Sequence, residues 1–557
     1  MSFTRSSTQL AQSQANQSQA NQPDIIFLVL DTQRADRLSC YGYDKATSPN
    51  IDAIAAQSTL FRNAIAPAQW TIPSHASMFT GLYPSQHQML QSYSVMPPHL
   101  KTLAERLQSG GYYTAAFCNN PLVGVINNGL RRGFYSFLNY SGLMTSRPNQ
   151  VGAPSNWLDR YRQRFKQVIA KGLNRVQDAF ARSDWLLSLS FTPLMVPLWQ
   201  TALSFKGNTQ KSLEDAARLH IQRKGVGDDQ PIFTFINLMG AHMPYHPPRE
   251  RIEQFAPNVL KDRDAQAYLR RFNSDVYGWL APLMGDLDDP QKEILDGMYD
   301  AEVAAQDAQV GAFFEKLEQT HGLDNTLVII CADHGEHLGE KQLMGHSLSI
   351  YNELVQVPLI IRDTTRSQPS HSQSSHSQPS HSQPSRSHAG FPQGTEREDV
   401  VSTRCLFHTV LTAAGLASPA EAEESLVHQG KDIESDLPVF AEAVTPQNVL
   451  NLIQKRQPNL VQQHACDQAK RAVWFSNHKL IETGSNSLEL YDIHDDPRES
   501  LDLSEIFPEQ VESLQASLAA FTSDADAHQS VYAQARATGF DDPEVCRRLQ
   551  DLGYLED

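Results

Sequence analysis

With 557 residues, 40% of them hydrophobic, the chain can bury a large core and holds more than one compact domain. Its 63 acidic against 46 basic residues give a formal net charge of -17, which argues against nucleic acid as a partner but allows an anionic substrate beside a local cation. The six cysteines, Cys40, Cys118, Cys331, Cys405, Cys466 and Cys546, form no CxxC pair and read as reduced thiols of a cytoplasmic protein.

Residues 1–22 are polar, rich in Ser, Gln and Asn, and lack the apolar stretch of a signal peptide, so a disordered tail is expected. No apolar run along the chain reaches membrane-spanning length. The first ordered element is the apolar run Asp24 to Leu30, suited to a strand buried on both faces of a parallel sheet, and it ends at Asp31. A helical pattern covers Leu100 to Gly110, and a strand is expected at Thr114–Phe117. Residues 155–205 form an insertion in which Trp157, Leu158, Tyr161, Phe165, Val168, Ile169 and Leu173 recur at helical spacing. Two readings stand for it: a helical cap on the catalytic domain, or an amphipathic surface that makes peripheral contact with a membrane or shapes access for an apolar substrate. Strands are expected again at Ile232–Leu238, at Thr326–Ala332 ending on Asp333, and at Val357–Arg362, with a helix over Asp300–His321. Residues 364–397 are low complexity, with SHSQP-type repeats and little to bury, and read as a disordered insertion. Short antiparallel strands at 471–475, 479–481 and 488–493, then helices, give a small C-terminal α+β subdomain over 446–557 after a catalytic domain over 23–445. Strands alternating with helices predict an α/β sandwich with a mostly parallel central sheet, whose ligand site lies beyond the carboxyl ends of the strands.

Asp31 and Asp333 both fall at such ends. Asp333-His334-Gly335-Glu336 places a hard oxygen ligand beside an imidazole, a pairing that suits one divalent cation such as Mn, Zn, Mg or Ca. In Trp70-Thr-Ile-Pro-Ser-His75, Pro73 suits the first turn of a helix and sets Thr71 at its start. Thr71 is then either a simple helix cap or a nucleophile placed against a metal and an anion-attracting helix end.

Taken together these motifs resemble the sulfatase family of the alkaline phosphatase superfamily. Thr71-Ile-Pro-Ser74-His75 with Thr80-Gly81 is similar to the family's C/S-x-P-S-R and T-G signature. Asp31 to Asp36, Cys40 to Tyr43, Ser48 to Asp52, His242 to Pro248, Asp333 to Glu336, His346, and Glu489 to Asp492 with Asp496, Pro497 and Glu499 follow in the family's order. The resemblance implies an alkaline-phosphatase-like sandwich. It implies a metal held by Asp31, Asp333, His334 and the Thr71 oxygen, and catalytic contacts from His242 and His346 to a small anionic ester. It places His75 and Asn119 among the substrate-binding residues, although a structural role is the default for His75.

The chain departs from the pattern at Thr32, where many sulfatases have a second metal-binding Asp, and at Thr71, where they have the Cys or Ser oxidised to formylglycine. Oxidising threonine would give a ketone, which hydrates poorly, so a direct Thr71 alkoxide is left. A phosphate mono- or diester is therefore the expected substrate, with a sulfuric ester hydrolase and a catalytically inactive binding member of the family as the rivals.

Overall fold

The computed structural model describes residues 22–124, 126–140, 206–274, 282–364, 390–428, 437–485 and 487–537. The expected tail, the 155–205 insertion with its lipid contact, and all but the two ends of 364–397 lie outside these residues. Strands β1 (Asp24–Leu30), β2 (Thr59–Ile65), β3 (Tyr113–Cys118), β4 (Ser136–Asn139), β5 (Ile232–Leu238), β6 (Thr326–Cys331), β9 (Gln356–Asp363) and β10 (Thr395–Ser402) form one sheet in the order β10-β2-β9-β6-β1-β5-β3-β4. Only β9 runs antiparallel to its neighbours. The expected mostly parallel α/β sandwich is therefore the observed one.

Side-chain alternation builds the two layers. Phe27 and Val29 of β1, Phe235 of β5 and Ile329 of β6 enter one core with Ile72, Met78 and Phe79 of the helix Thr71–Thr80. Ile26, Leu28 and Leu30, with Ile236 and Val328, enter the opposite core with Leu295, Met298, Val303 and Phe314 of the helix Asp289–Glu318. A central strand buried on both faces needs apolar residues at every position, which is why these strands read as continuous hydrophobic runs.

Several boundaries differ from expectation; the helix expected over Asp300–His321 spans Asp289–Glu318. Thr395–Arg397, assigned to the low-complexity insertion, pair in parallel with Thr59–Phe61 as the start of β10. Strand β11 (Val439–Ala443), assigned to the catalytic domain, pairs antiparallel with β12 (Lys470–Phe475), which continues to β13 (His478–Thr483) and β14 (Ser487–Asp492). The second sheet thus starts before residue 446. The helix Pro508–Ala537 covers it, with Leu514 and Leu518 packing on Val473, Leu480 and Leu490. A short hairpin of β7 (His337–Leu338) and β8 (Met344–Gly345) projects between the two sheets' territories, pairing His337 with Gly345. Among the described residues no helix is long and apolar enough to cross a membrane.

Candidate active site

The carboxyl ends of β1, β3, β5 and β6 are neighbours in the sheet, so the residues that follow them converge. Asp31 N donates to Leu238 O at 2.8 Å and Asn119 N to Asn237 O at 3.0 Å, carrying the strand pairing to the edge of the site. There Asp31, Asp333 and His334 are fully buried, each with a ligand atom within 4.8 Å of the others. Among the described residues this is the one group of three that could hold a metal ion.

Each carboxylate has one oxygen held and one left open. Asp31 Oδ2 accepts from Asn120 Nδ2 at 2.6 Å and Asn237 Nδ2 at 3.3 Å, while Oδ1 is buried without a hydrogen-bond partner. Asp333 Oδ1 accepts from the backbone N–H groups of Thr32 and His334 at 3.3 and 3.0 Å, while Oδ2 is likewise bare. His334 Nδ1 donates to Gly335 O at 3.0 Å, leaving Nε2 a lone pair 3.3 Å from Asp333 Oδ2 and 3.3 Å from Thr71 Oγ1. Burial, then the charge of Asp31, pushes the Asp333 carboxyl well above its ordinary range. Burial, then the neighbouring His346, holds His334 well below the ordinary histidine range, in its neutral form. Two buried carboxylate oxygens without a hydrogen-bond partner beside a bare imidazole nitrogen are a donor set that could hold a divalent cation.

Thr32 shows how the backbone serves this cluster. Its φ of 58° is a left-handed conformation that a β-branched residue rarely takes. Its N–H thereby reaches Asp333, its hydroxyl folds onto Asp31 O at 2.7 Å, and Tyr299 OH holds its carbonyl at 2.7 Å. The Thr32 side chain therefore stays out of the ligand cluster.

Thr71 opens its helix behind Trp70, and its hydroxyl points to His334 and to Asn120 Nδ2 at 3.4 Å rather than to a capping bond. His75, one turn on, is fully buried, with Nδ1 donating to Thr71 O at 2.9 Å and Nε2 against Asn237 Nδ2 at 3.3 Å. Its ring meets Phe79 and Phe235 edge-on. His75 thus braces the Thr71 backbone one turn along the helix, and its Nδ1 also lies 3.4 Å from Asp333 Oδ2. The Asn119 amide donates to Thr209 Oγ1 at 3.2 Å, and that of the next residue, Asn120, donates to Asp31.

His242 and His346 come together across from this cluster. Their ring centroids lie 5.0 Å apart, and His346 lies 4.6 Å from His334. The β7–β8 pairing sets Glu336 beside His346, and Glu336 Oε1 accepts from His346 Nδ1 at 2.7 Å. Burial pulls His346 towards neutral, but the Glu336 carboxylate outweighs it and raises the pKa. Burial and the charge of His346 lower that of His242. The His242 loop is held by one face of the helix Asp289–Glu318: Gly240 N donates to Gln306 at 2.8 Å and His246 N to Glu302 at 2.6 Å. A Cβ on Gly240 would lie 2.4 Å from Gln306 Oε1, so the close approach requires glycine.

The sequence reading did not name Asn120, Asn237 or a role for Glu336. Glu336 could have been found from the Asp-His-Gly-Glu motif. Asn237 is a polar residue at the carboxyl end of an otherwise apolar strand, which is the available signal for it.

The family model for Sulfatase matches residues 23–416. The uncharacterized sulfatase YidJ of Escherichia coli is 23% identical over 350 residues, covering 61% of this chain and 62% of that protein, just under two thirds of its length. BT4656 in complex with its substrate D-glucosamine-2-N,6-O-disulfate superposes with a TM-score of 0.60 at 15% identity, over 91% of this chain and 98% of that one. The phosphonate monoester hydrolase of Agrobacterium radiobacter gives 0.56 at 19% identity, over 90% and 96%. The extent of the family match, with the sandwich that accompanies it, carries one conclusion: this chain belongs to the sulfatase family.

Proposed function

We propose that the protein cleaves a small anionic ester with Thr71 Oγ1 as the direct nucleophile, and that phosphate mono- or diesters are favoured over sulfate esters. The carrying observation is the Thr71 hydroxyl, buried against His334 Nε2 and Asn120 Nδ2 beside two open carboxylate oxygens. One divalent cation, Mn, Zn, Mg or Ca, held by Asp31, Asp333, His334 and Thr71, would acidify the hydroxyl and offset the ester's negative charge. Thr71 Oγ1 forms a bond to phosphorus, its proton passing to solvent, as the bond from phosphorus to the ester oxygen breaks. His346, kept protonated by Glu336, gives its proton to the leaving oxygen, and His242 contacts the ester anion. A water oxygen then bonds to phosphorus as the bond from phosphorus to Thr71 Oγ1 breaks; the water's proton goes to His346 and Thr71 Oγ1 takes back a proton from solvent. Asn120 and Asn237 keep Asp31 fixed throughout. A cytoplasmic location is our reading of the six scattered cysteines, which form no CxxC pair.

The test is a substrate panel: aryl sulfate, phosphate monoester, phosphodiester and phosphonate ester, each with Mn, Zn, Mg or Ca. Phosphate ester turnover above sulfate turnover is expected, with a phosphoryl adduct on the Thr71 peptide in quenched samples. Sulfate turnover far above phosphate would overturn the substrate assignment. Unchanged activity in Thr71→Ala would overturn the nucleophile. A well-folded protein that retains no divalent ion and turns over no ester would favour the inactive, ligand-binding alternative.

A further inference from the structure

The hairpin that sets Glu336 against His346 ends in a strained turn. Gly339 has φ 113°, and the adjacent Lys341 and Gln342 have φ 55° and 58°, left-handed values at two consecutive non-glycine residues. Such a turn persists only where its surroundings hold it. From the catalytic domain, Arg34 Nη1 donates to Glu336 O at 3.0 Å and to Glu340 Oε1 at 2.7 Å. From the C-terminal side, Lys341 Nζ donates to the carbonyl of Glu499 and lies 5.0 Å from the ring centroid of Tyr351 and 5.5 Å from that of Tyr491 on β14. Glu499 is itself fixed and fully buried. Its carboxylate takes Lys479 Nζ of β13 at 2.5 Å and Asn352 N at 2.7 Å. Tyr351 is fixed by its hydroxyl on Glu489 of β14 at 3.0 Å.

We propose that Lys341 is a positioning residue: through it the C-terminal sheet clamps the β7–β8 turn, and the clamp keeps His346 in register with the ester's leaving oxygen. The ammonium is suited to the part because a carbonyl acceptor and two aromatic faces bind a cation from three sides and fix its stem. The second sheet thereby acts on the reaction without touching substrate. This rests on His346 being the proton donor proposed above.

A poor leaving group needs that proton and a good one does not, so the test compares an alkyl ester with a nitrophenyl ester of the same acid. In Lys341→Met, kcat for the alkyl ester is expected to fall ~10-fold, with KM unchanged and kcat for the nitrophenyl ester within about twofold. Lys341→Arg, which keeps the cation and the donor, is expected to restore the ratio. Arg106→Met, which breaks a distant ion pair to Glu421, controls for general destabilisation. Should Lys341→Met fail to melt cooperatively, Lys341→Gln takes its place. An unchanged ratio in an active enzyme overturns the inference alone, as does the same selective loss in Arg106→Met. Wild-type protein that turns over no ester overturns the proposed function and this inference with it.

Discussion

Asn120 donates its side-chain amide to Asp31 Oδ2 over 2.6 Å, joining two strand ends that are 89 residues apart in the chain. The bond fixes which Asp31 oxygen remains open, so the orientation of the candidate metal ligand depends on it. Asn120→Ala should lower kcat or metal affinity about 10- to 100-fold, the usual cost of removing such a partner. Asn119→Ala, which loses only the bond to Thr209, should change either by less than about threefold. Steady-state kinetics with metal titration on both variants checks this. Equal losses would return Asn119 to the site.

The Asp31–Asp333 pair predicts opposite effects with and without metal. In chelator, two buried carboxylates face each other without a cation, so Asp333→Asn should melt above wild type. With a divalent ion at about 100 times Kd, wild type should gain about 2.7 kcal/mol and the variant far less. The order of the two melting temperatures then reverses. A wild type whose melting is indifferent to chelator and to Mn, Zn, Mg and Ca alike would remove the metal from the site.

How much of this was legible beforehand follows from where the constraint lies. Strands β1, β5 and β6 are central, so burial on both faces wrote them into the sequence as apolar runs, and the ends at Asp31 and Asp333 came with them. Strand β10, Thr-Glu-Arg-Glu-Asp-Val-Val-Ser, is an edge strand whose first residues are partly exposed, so its charges hid it behind the low-complexity segment. Val439–Ala443 is apolar enough for either sheet, and only its antiparallel partner, Lys470–Phe475, assigns it to the second. Asn119 and Asn120 are chemically identical neighbours, and the choice between them is made by Thr209 and Asp31 from other parts of the chain. The places of Thr71 at the start of its helix and of Asp333-His334 just past β6 were legible because each lies within a local motif.

Glu353 gives the fold a pH dependence. Burial and the nearby carboxylates of Glu340 and Glu499 outweigh Arg34 and raise its pKa from 4.5 to about 7. Lys479 also faces this group, and Glu353 Oε2 has no hydrogen-bond partner. Because the folded value is the higher one, its contribution to stability is complete below the unfolded value of 4.5 and is lost as pH rises through about 7. Glu353→Gln should therefore raise the melting temperature more at about pH 8.5 than at about pH 5.5. Equal gains at both values would count against this assignment.

Glu302 has two separable duties. Its Oε1 accepts the His246 N–H at 2.6 Å and the Lys206 ammonium at 2.7 Å, and burial dominates both charged groups. Glu302→Leu strands Lys206 without its counter-charge and should cost about 2–4 kcal/mol, less than a fully enclosed pair because Lys206 is 21% exposed. Lys206→Met in the same chain removes the stranded cation, so the double variant should recover most of that loss, with a coupling of about 1–3 kcal/mol. Activity should not recover. The His246 amide still lacks its acceptor in the double variant, the loop carrying His242 has lost its anchor to Glu302 while keeping those to Gln306 and Asn273, and kcat should stay down about 10-fold in both. Denaturant melts and steady-state kinetics on the two single variants and the double decide it. If stability and kcat recover together, the ion pair rather than the backbone bond positions the His242 loop.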